Sequence, residues 1–116
     1  MTNGLAFVML GVSDVDGAAK FYRETLGLTM HGRFEDFAFF GAGGVTLALS
    51  GDLARRTPSP CEACEFVFGV SSVGETYRAL RDRVTFVNEP RQVNAENWAV
   101  AFHDLDGHLL SFYGPQ

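Results

Sequence analysis

The side chains best suited to chemistry in this sequence are one glutamate and three histidines. Glu65 opens an apolar run that is typical of a buried strand, so its carboxylate could receive a ligand's amine, act as an acid or base, or pair with an arginine. His31 follows a predicted helix, and His103 and His108 flank a predicted turn. Such positions favour solvated or hydrogen-bonded structural histidines over metal ligands.

A pair of cysteines, Cys61 and Cys64, forms a C-x-x-C motif. A zinc site of this type needs two further soft ligands at similar spacing, and the sequence supplies none. A thioredoxin-like motif opens a helix, whereas these residues lead into an apolar alternating run. We interpret them as reduced cysteines near the start of a strand.

The composition is that of one globular domain. The chain has 116 residues, of which 47% are hydrophobic and 20% charged. It contains neither an apolar stretch long enough for a membrane helix nor a secretory signal, so we expect a cytoplasmic protein that binds no membrane. The net charge of -5 argues against a nucleic-acid partner, because phosphate binding requires clustered Lys and Arg.

The chain repeats itself. Residues 7–15 (FVMLGVSDV) recur as residues 65–73 (EFVFGVSSV), and the same Gly-Val-Ser falls at the same point of both. Residues 45–51 likewise match residues 108–114. Two copies of one unit therefore build the fold.

We predict a single domain over residues 1–116, with a first module at about 5–50, a polar, proline-containing linker at 51–62 and a second module at about 63–114. In each module a strand is followed by a helix and then by further strands that end in a hairpin. This βαβββ pattern, present twice, predicts an α+β fold with helices on one face of mixed sheets. The opposite face, here called the open face, must be covered by a partner, the other module or a ligand.

The boundaries of the helices carry ordinary signals. Ser13 or Asp14 caps the first helix and Gly27 ends it, while Ser72 with Glu75 forms a capping box for the second. The hairpins turn at residues 41–44 and 104–107, both rich in turn-forming residues.

Four short motifs resemble those of the vicinal-oxygen-chelate superfamily. They are residues 7–14 (FVMLGVSD), 21–22 (FY) and 26–28 (LGL), together with Trp98 and residues 102–107 (FHDLDG), where leucine replaces the usual proline. This superfamily includes glyoxalase I, extradiol dioxygenases and the metal-free bleomycin-resistance proteins. The resemblance spans nearly the whole chain and implies curved sheets that form a cup, usually within a homodimer.

The resemblance also places metal ligands on the first and last strands of each module. The matching positions here are Phe7, Ala48, Glu65 and Ser111. One carboxylate cannot replace the three or more protein ligands of an open catalytic site, and a phenyl ring fills the space of an ion. We therefore predict no metal and no other cofactor.

Strand alternation predicts which side chains line the cup. Phe37, Phe39, Trp98 and Phe102 depend on hairpin register, and a slip of one residue would invert them. The predicted ligand-binding residues are Phe7, Met9, Phe37, Phe39, Ala48, Glu65, Val67, Trp98, Phe102, Ser111 and Tyr113. Such a lining suits an aromatic or cationic hydrophobic small molecule.

Three functions are compatible with these residues. The first, which the sequence favours, is a metal-independent binding protein that sequesters a small molecule, as in antibiotic resistance. The second is an enzyme of the same fold, a lyase, isomerase or dioxygenase-like protein, with Glu65 as tentative catalytic acid or base or as the remaining metal ligand. The third is a structural or regulatory dimer whose open face is empty and collapsed.

Overall fold

In a computed structural model, residues 1–57 and 64–116 are described. The chain divides into two compact units, Met1–Pro60 and Cys61–Gln116. Cys61 and the end of the predicted linker lie outside the described residues. No helix within the described ranges is long and apolar enough to cross a lipid bilayer.

The first unit follows the predicted βαβββ order. Its elements are β1 (Val8–Gly11), α1 (Val15–Lys20), a π-helical turn (Phe21–Thr25), β2 (Thr29–Phe34), β3 (Phe37–Ala42), β4 (Val45–Ser50) and α2 (Gly51–Arg56). The strands form one sheet in the order β1-β4-β3-β2, in which β1 and β4 are parallel and the other pairs antiparallel. Helix α2 occupies the beginning of the predicted linker, and the Ser50 hydroxyl caps it by accepting the Leu53 N–H.

The second unit repeats this order with a less regular middle. Its elements are β5 (Phe66–Gly69), α3 (Val73–Leu80), β6 (Thr85–Phe86), β7 (Arg91–Gln92), β8 (Trp98–His103) and β9 (Leu109–Gly114). The sheet runs β5-β9-β8-β6, β7 also pairs with β8, and β5 and β9 are parallel. The α+β class with two mixed sheets is confirmed.

The predicted caps are present. The Asp14 carboxylate accepts the Gly17 N–H, and the Ser72 hydroxyl accepts the Glu75 N–H. Gly27 follows the π-helical turn with φ of 76°, a left-handed conformation that glycine adopts without a steric penalty.

The helix-side face of each sheet carries its core. In the first unit, Tyr22 packs on Phe40 with a ring-centroid separation of 6.1 Å, and both side chains are buried. In the second unit, Phe102 stacks on Phe112 at 4.6 Å, and Phe86 lies 5.8 Å from Phe102. Burial of such rings is the main source of stability in a domain of this size.

Candidate functional site: the open faces of the two sheets

The open face of the first sheet is a cluster of phenylalanine rings. Register pairs Phe39 with Ala48, and Ala48 with Met9, so these three side chains share one face. The Phe7 ring meets Phe39 edge-on at 5.9 Å. Phe37 stacks beside Phe39 at 6.4 Å. Register therefore places Met9, Phe37, Phe39 and Ala48 on the open face of the first sheet, and Phe7 contacts this group through Phe39. That these residues bind a ligand stays a prediction.

Phe34, which strand alternation did not predict, also belongs to this cluster. Its ring meets Phe39 at 5.9 Å and lies over Gly32, where a Cβ would approach the ring to 2.8 Å. A β-bulge between Met30 and Gly32 shifts the pairing of β2 against β3, so simple alternation along this strand fails. The sequence feature that could have indicated this position is Gly32, because a glycine leaves space for the Phe34 ring.

This open face is bounded by a helix at one end and a histidine at the other. A Cβ on Gly11 would lie 2.9 Å from the Ala54 backbone nitrogen, which places α2 over that end of β1. Near the opposite end, the His31 ring lies over Gly41, the partner of Thr46. Between them, Phe7 and Phe34 remain 44% and 60% exposed, so the phenylalanine cluster is open to a ligand.

The open face of the second sheet carries smaller and more polar side chains than that of the first. Two rows of cross-strand partners lie on this face. One row contains Val67, Ser111 and Ala101, and the next contains Gly69, Tyr113, Ala99 and Arg91. A Cβ on Gly69 would meet no atom within 4 Å, so space is open above it. Small and polar side chains therefore line this face, with Tyr113 as its aromatic group.

The prediction that Trp98 and Phe102 lie on this open face is wrong. Phe102 pairs with Leu110, and Val100 pairs with Phe112, so both side chains lie on the buried helix-side face. Trp98 precedes Val100 by two residues in the same strand and therefore points to the same face. Phe102 and Trp98 are therefore not candidates for ligand contact on the open face.

The reason is the length of the second hairpin turn. His103 pairs with Leu109, which leaves five residues in the loop, whereas residues 104–107 alone would make four. The carboxylate of Asp104 accepts the backbone N–H groups of Asp106 and His108 at 3.0 and 2.8 Å, and this stabilises the longer loop. One extra residue exchanges the faces of β8.

Glu65, the candidate acid or base, lies immediately before β5 and is exposed. This carboxylate was predicted to lie inside the cup, where burial would change its chemistry. Its position ahead of the strand, rather than within it, leaves it in solvent.

The positions at which the resemblance implies metal ligands do not form a donor set. Ala48 is buried beside its cross-strand partner Phe39, Phe7 contributes a ring, and Ser111 is paired with Val67. Within residues 1–57 and 64–116, no three His, Cys, Asp or Glu side chains are grouped as an ion requires. These residues do not fit the metal that the resemblance implies.

His108 and Asp104 form an ion pair in the second hairpin turn. The His108 Nδ1 lies 2.7 Å from the Asp104 Oδ2, and the aspartate side chain is only 2% exposed. The hydrogen bond to Asp104 raises the pKa of His108 above its ordinary value, against an opposing effect of burial, and the charges of Asp104 and Asp106 raise it further. The imidazole therefore stabilises the turn most when it is protonated.

This ion pair predicts a pH dependence of stability. Since the folded pKa of His108 lies above the unfolded value of about 6.5, its contribution is fully present below that pH and is lost as the pH rises through the folded pKa. We expect the difference in unfolding free energy between wild type and His108→Gln to be larger at acidic than at alkaline pH. Urea unfolding between about pH 5.5 and 9 measures this difference.

The exposed His103 provides the matched control. His103→Gln should follow the wild-type pH profile throughout the range. A His108→Gln difference that stays constant with pH would show that the pair contributes no proton-linked stability.

The chain belongs to the glyoxalase/bleomycin resistance protein/dioxygenase superfamily, whose family model matches residues 4–112. It is 30% identical over 115 residues to the glutathione transferase FosA of Serratia marcescens, covering 97% of this chain and 82% of that protein. It is 26% identical to the metallothiol transferase FosB of Staphylococcus haemolyticus, covering 97% and 84% respectively.

Solved structures show the same fold. The fosfomycin resistance protein FosX of Listeria monocytogenes, crystallised with Mn(II) and sulfate, superposes with a TM-score of 0.79 at 19% identity, covering 100% of this chain and 93% of that chain. A glyoxalase/bleomycin resistance protein/dioxygenase family enzyme from Burkholderia phytofirmans PsJN superposes with a TM-score of 0.80 at 14% identity, covering 96% and 98%. The family and the fold are thus shown together.

Proposed function

We propose that this protein binds a hydrophobic aromatic small molecule on the open face of its first sheet, and that such binding serves resistance by sequestration. The observation that carries the proposal is the phenylalanine cluster of Phe7, Phe34, Phe37 and Phe39, with two of its rings substantially exposed. Exposed apolar clusters of this kind mark binding surfaces in monomeric units. The resistance role is supported by the family, whose description includes bleomycin resistance proteins.

The geometry of the cluster favours a flat ring system. Phe39 already makes edge-on contacts with Phe7 and Phe34 and a stacked contact with Phe37, so its surroundings suit aromatic packing. Each added ring contact stabilises a complex by about 0.5–1.5 kcal/mol beyond the area that it buries. His31 beside Gly41 adds a polar group at the edge of the cluster, and phenyl faces also attract cations.

We infer that binding needs no divalent ion, because the residues at the four implied ligand positions do not fit one. The positions that would hold the ion carry a ring, a methyl group, an exposed carboxylate and a hydroxyl. No step of the proposed function depends on a metal. The homodimer implied by the resemblance stays a prediction, which light scattering of the purified protein would check.

A second candidate function is thiol transfer. It is favoured by the 30% identity to a glutathione transferase over 97% of this chain. The test is turnover of fosfomycin with glutathione, with and without added Mn²⁺. Because the donor set does not fit an ion, we expect no turnover above the uncatalysed rate; metal-dependent product formation would replace the binding proposal with this one.

The binding proposal predicts separate effects on affinity and stability. Phe34→Ala should weaken binding of the neutral aromatic probe 2-acetylnaphthalene about 5–10-fold, because it removes an exposed ring from the cluster. Its unfolding free energy should stay within about 0.5 kcal/mol of wild type, as is usual for surface substitutions. Isothermal titration calorimetry and urea unfolding measure the two quantities.

The control is Leu105→Ala, which shortens an equally exposed apolar side chain in the second hairpin turn. It should leave the dissociation constant of the probe unchanged. Equal affinities of wild type and Phe34→Ala would remove the phenylalanine cluster from the proposed site.

A further inference from the structure

We propose that one end of the open face of the first sheet binds the carboxylate of an aromatic acid, whose ring system lies on the phenylalanine cluster. The carboxylate site is the polar row, defined as Thr29, His31 and Thr46. The inference rests on the proposed function, since it requires a ligand on that cluster. It adds the chemical class of the ligand and the side chains that select it.

Strand register places the polar row next to the phenylalanine cluster within the first unit. Gly41 pairs with Thr29 on one side and with Thr46 on the other, and cross-strand partners point to the same face. Gly41 follows Phe39 by two residues in β3, so it also lies on the open face. The polar row is therefore only about 7 Å along the strands from the row that contains Phe39.

The bulge in β2 directs His31 onto this row. The pairing of β2 with β3 skips His31, because the register shifts between Met30 and Gly32. The imidazole lies where a side chain at Gly41 would be, since a Cβ there would come within 2.6 Å of the His31 Cε1 and 2.9 Å of its Nε2. Bulges often redirect a side chain next to a functional site. Glycine at position 41 thus gives the imidazole a place beside the two threonines.

The polar groups of this row are available to a ligand. Within residues 1–57 and 64–116, the His31 ring and the hydroxyls of Thr29 and Thr46 make no hydrogen bond or ion pair. Each of these groups can donate a hydrogen bond. A carboxylate only accepts, through two oxygens, and therefore matches several neighbouring donors.

The charge of the row favours an acid over an amine. Thr29, Gly41 and Thr46 are uncharged and His31 is neutral or cationic, so these described residues offer an ammonium group no counter-charge. An imidazole has an N–H to donate in either protonation state. Hydrogen bonds to an ionised acceptor are about twice as strong as those between neutral groups. A carboxylate therefore gains most from this row.

Two probes of the same shape test the inference. 2-Naphthoate and 2-nitronaphthalene place two oxygens at the same position of one ring system, but only the carboxylate is a charged and strong acceptor. At about pH 7.5 the naphthoate is ionised. Isothermal titration calorimetry measures the dissociation constants of both probes for wild type and variants.

Removal of one donor should weaken binding of the acid alone. We expect His31→Ala and Thr46→Val each to weaken binding of 2-naphthoate about 3–10-fold, the usual range for one hydrogen bond, and to change that of 2-nitronaphthalene less than about twofold. The matched controls are His103→Ala and Thr85→Val, which make the same changes at exposed, paired positions of the second sheet. Both controls should keep the wild-type constants.

The remaining outcomes separate the two proposals. Unchanged affinity of His31→Ala and Thr46→Val for 2-naphthoate, or an equal loss for both probes, would overturn the carboxylate site and leave the binding function intact. Tighter binding of 2-naphthylmethylamine than of 2-naphthoate to wild type would also overturn it. Failure of wild type to bind 2-naphthoate, 2-nitronaphthalene and 2-acetylnaphthalene would overturn the binding function itself.

Discussion

Phe102→Ala is expected to lower the free energy of unfolding by about 3–5 kcal/mol. Phe102 has no exposed surface, stacks on Phe112 at 4.6 Å and contacts Phe86, so its removal leaves a cavity between strands that cannot close. Urea unfolding followed by far-ultraviolet circular dichroism measures the change. A loss of this size is a large fraction of the stability of an ordinary domain.

The matched control for Phe102→Ala is Phe34→Ala, which deletes the same side chain from the open face. Its ring is 60% exposed, so its stability should change little. If Phe102→Ala were as stable as wild type, the helix-side assignment of β8 would be refuted.

Gly114→Ala is expected to be similarly damaging, with a loss of about 3 kcal/mol or more. A Cβ at this position would overlap the backbone carbonyl oxygen of Val70, whose own N–H donates to the Tyr113 carbonyl at 3.0 Å. Gly114 also has φ of 159°, which side chains rarely adopt. Neither backbone segment can move without breaking the pairing of β5 with β9. Thermal and urea unfolding measure the effect.

Gly69→Ala provides the comparison within the same sheet. An added methyl group there meets no atom within 4 Å, so we expect a change within about 0.5 kcal/mol, or a slight stabilisation from the stiffer unfolded chain. A loss at Gly69 equal to that at Gly114 would mean that glycine's flexibility, rather than the contact with Val70, determines the result.

The architecture could be predicted from the sequence because it depends on repeated patterns. The shared Gly-Val-Ser motif, the caps at Asp14 and Ser72 and the glycines in the turns are local signals, and each acts where it occurs. The face of β3 followed from a two-residue turn between Ala42 and Val45, which keeps simple alternation in register.

The faces of β2 and β8 could not be predicted in the same way. They depend on a bulge beside His31 and on one additional loop residue beside Asp104, and a single residue inverts a strand. Phe39 and Phe102 lie equally far before Ala48 and Ser111, yet they fall on opposite faces because the two hairpins have turns of different length. The hydrogen bond between the Asn94 amide and the Tyr113 hydroxyl joins residues 19 positions apart, and no local sequence pattern predicts it.

Position 69 can accept a larger side chain without disturbing the fold, because the space above Gly69 is open. Its counterpart in the repeat, Gly11, lies against α2 and cannot accept a larger side chain without displacing that helix, whereas position 69 can. Substitutions there reshape the surface next to Tyr113 while the core stays unchanged. The surface of the second sheet can therefore change at this one position without compensating substitutions in the core.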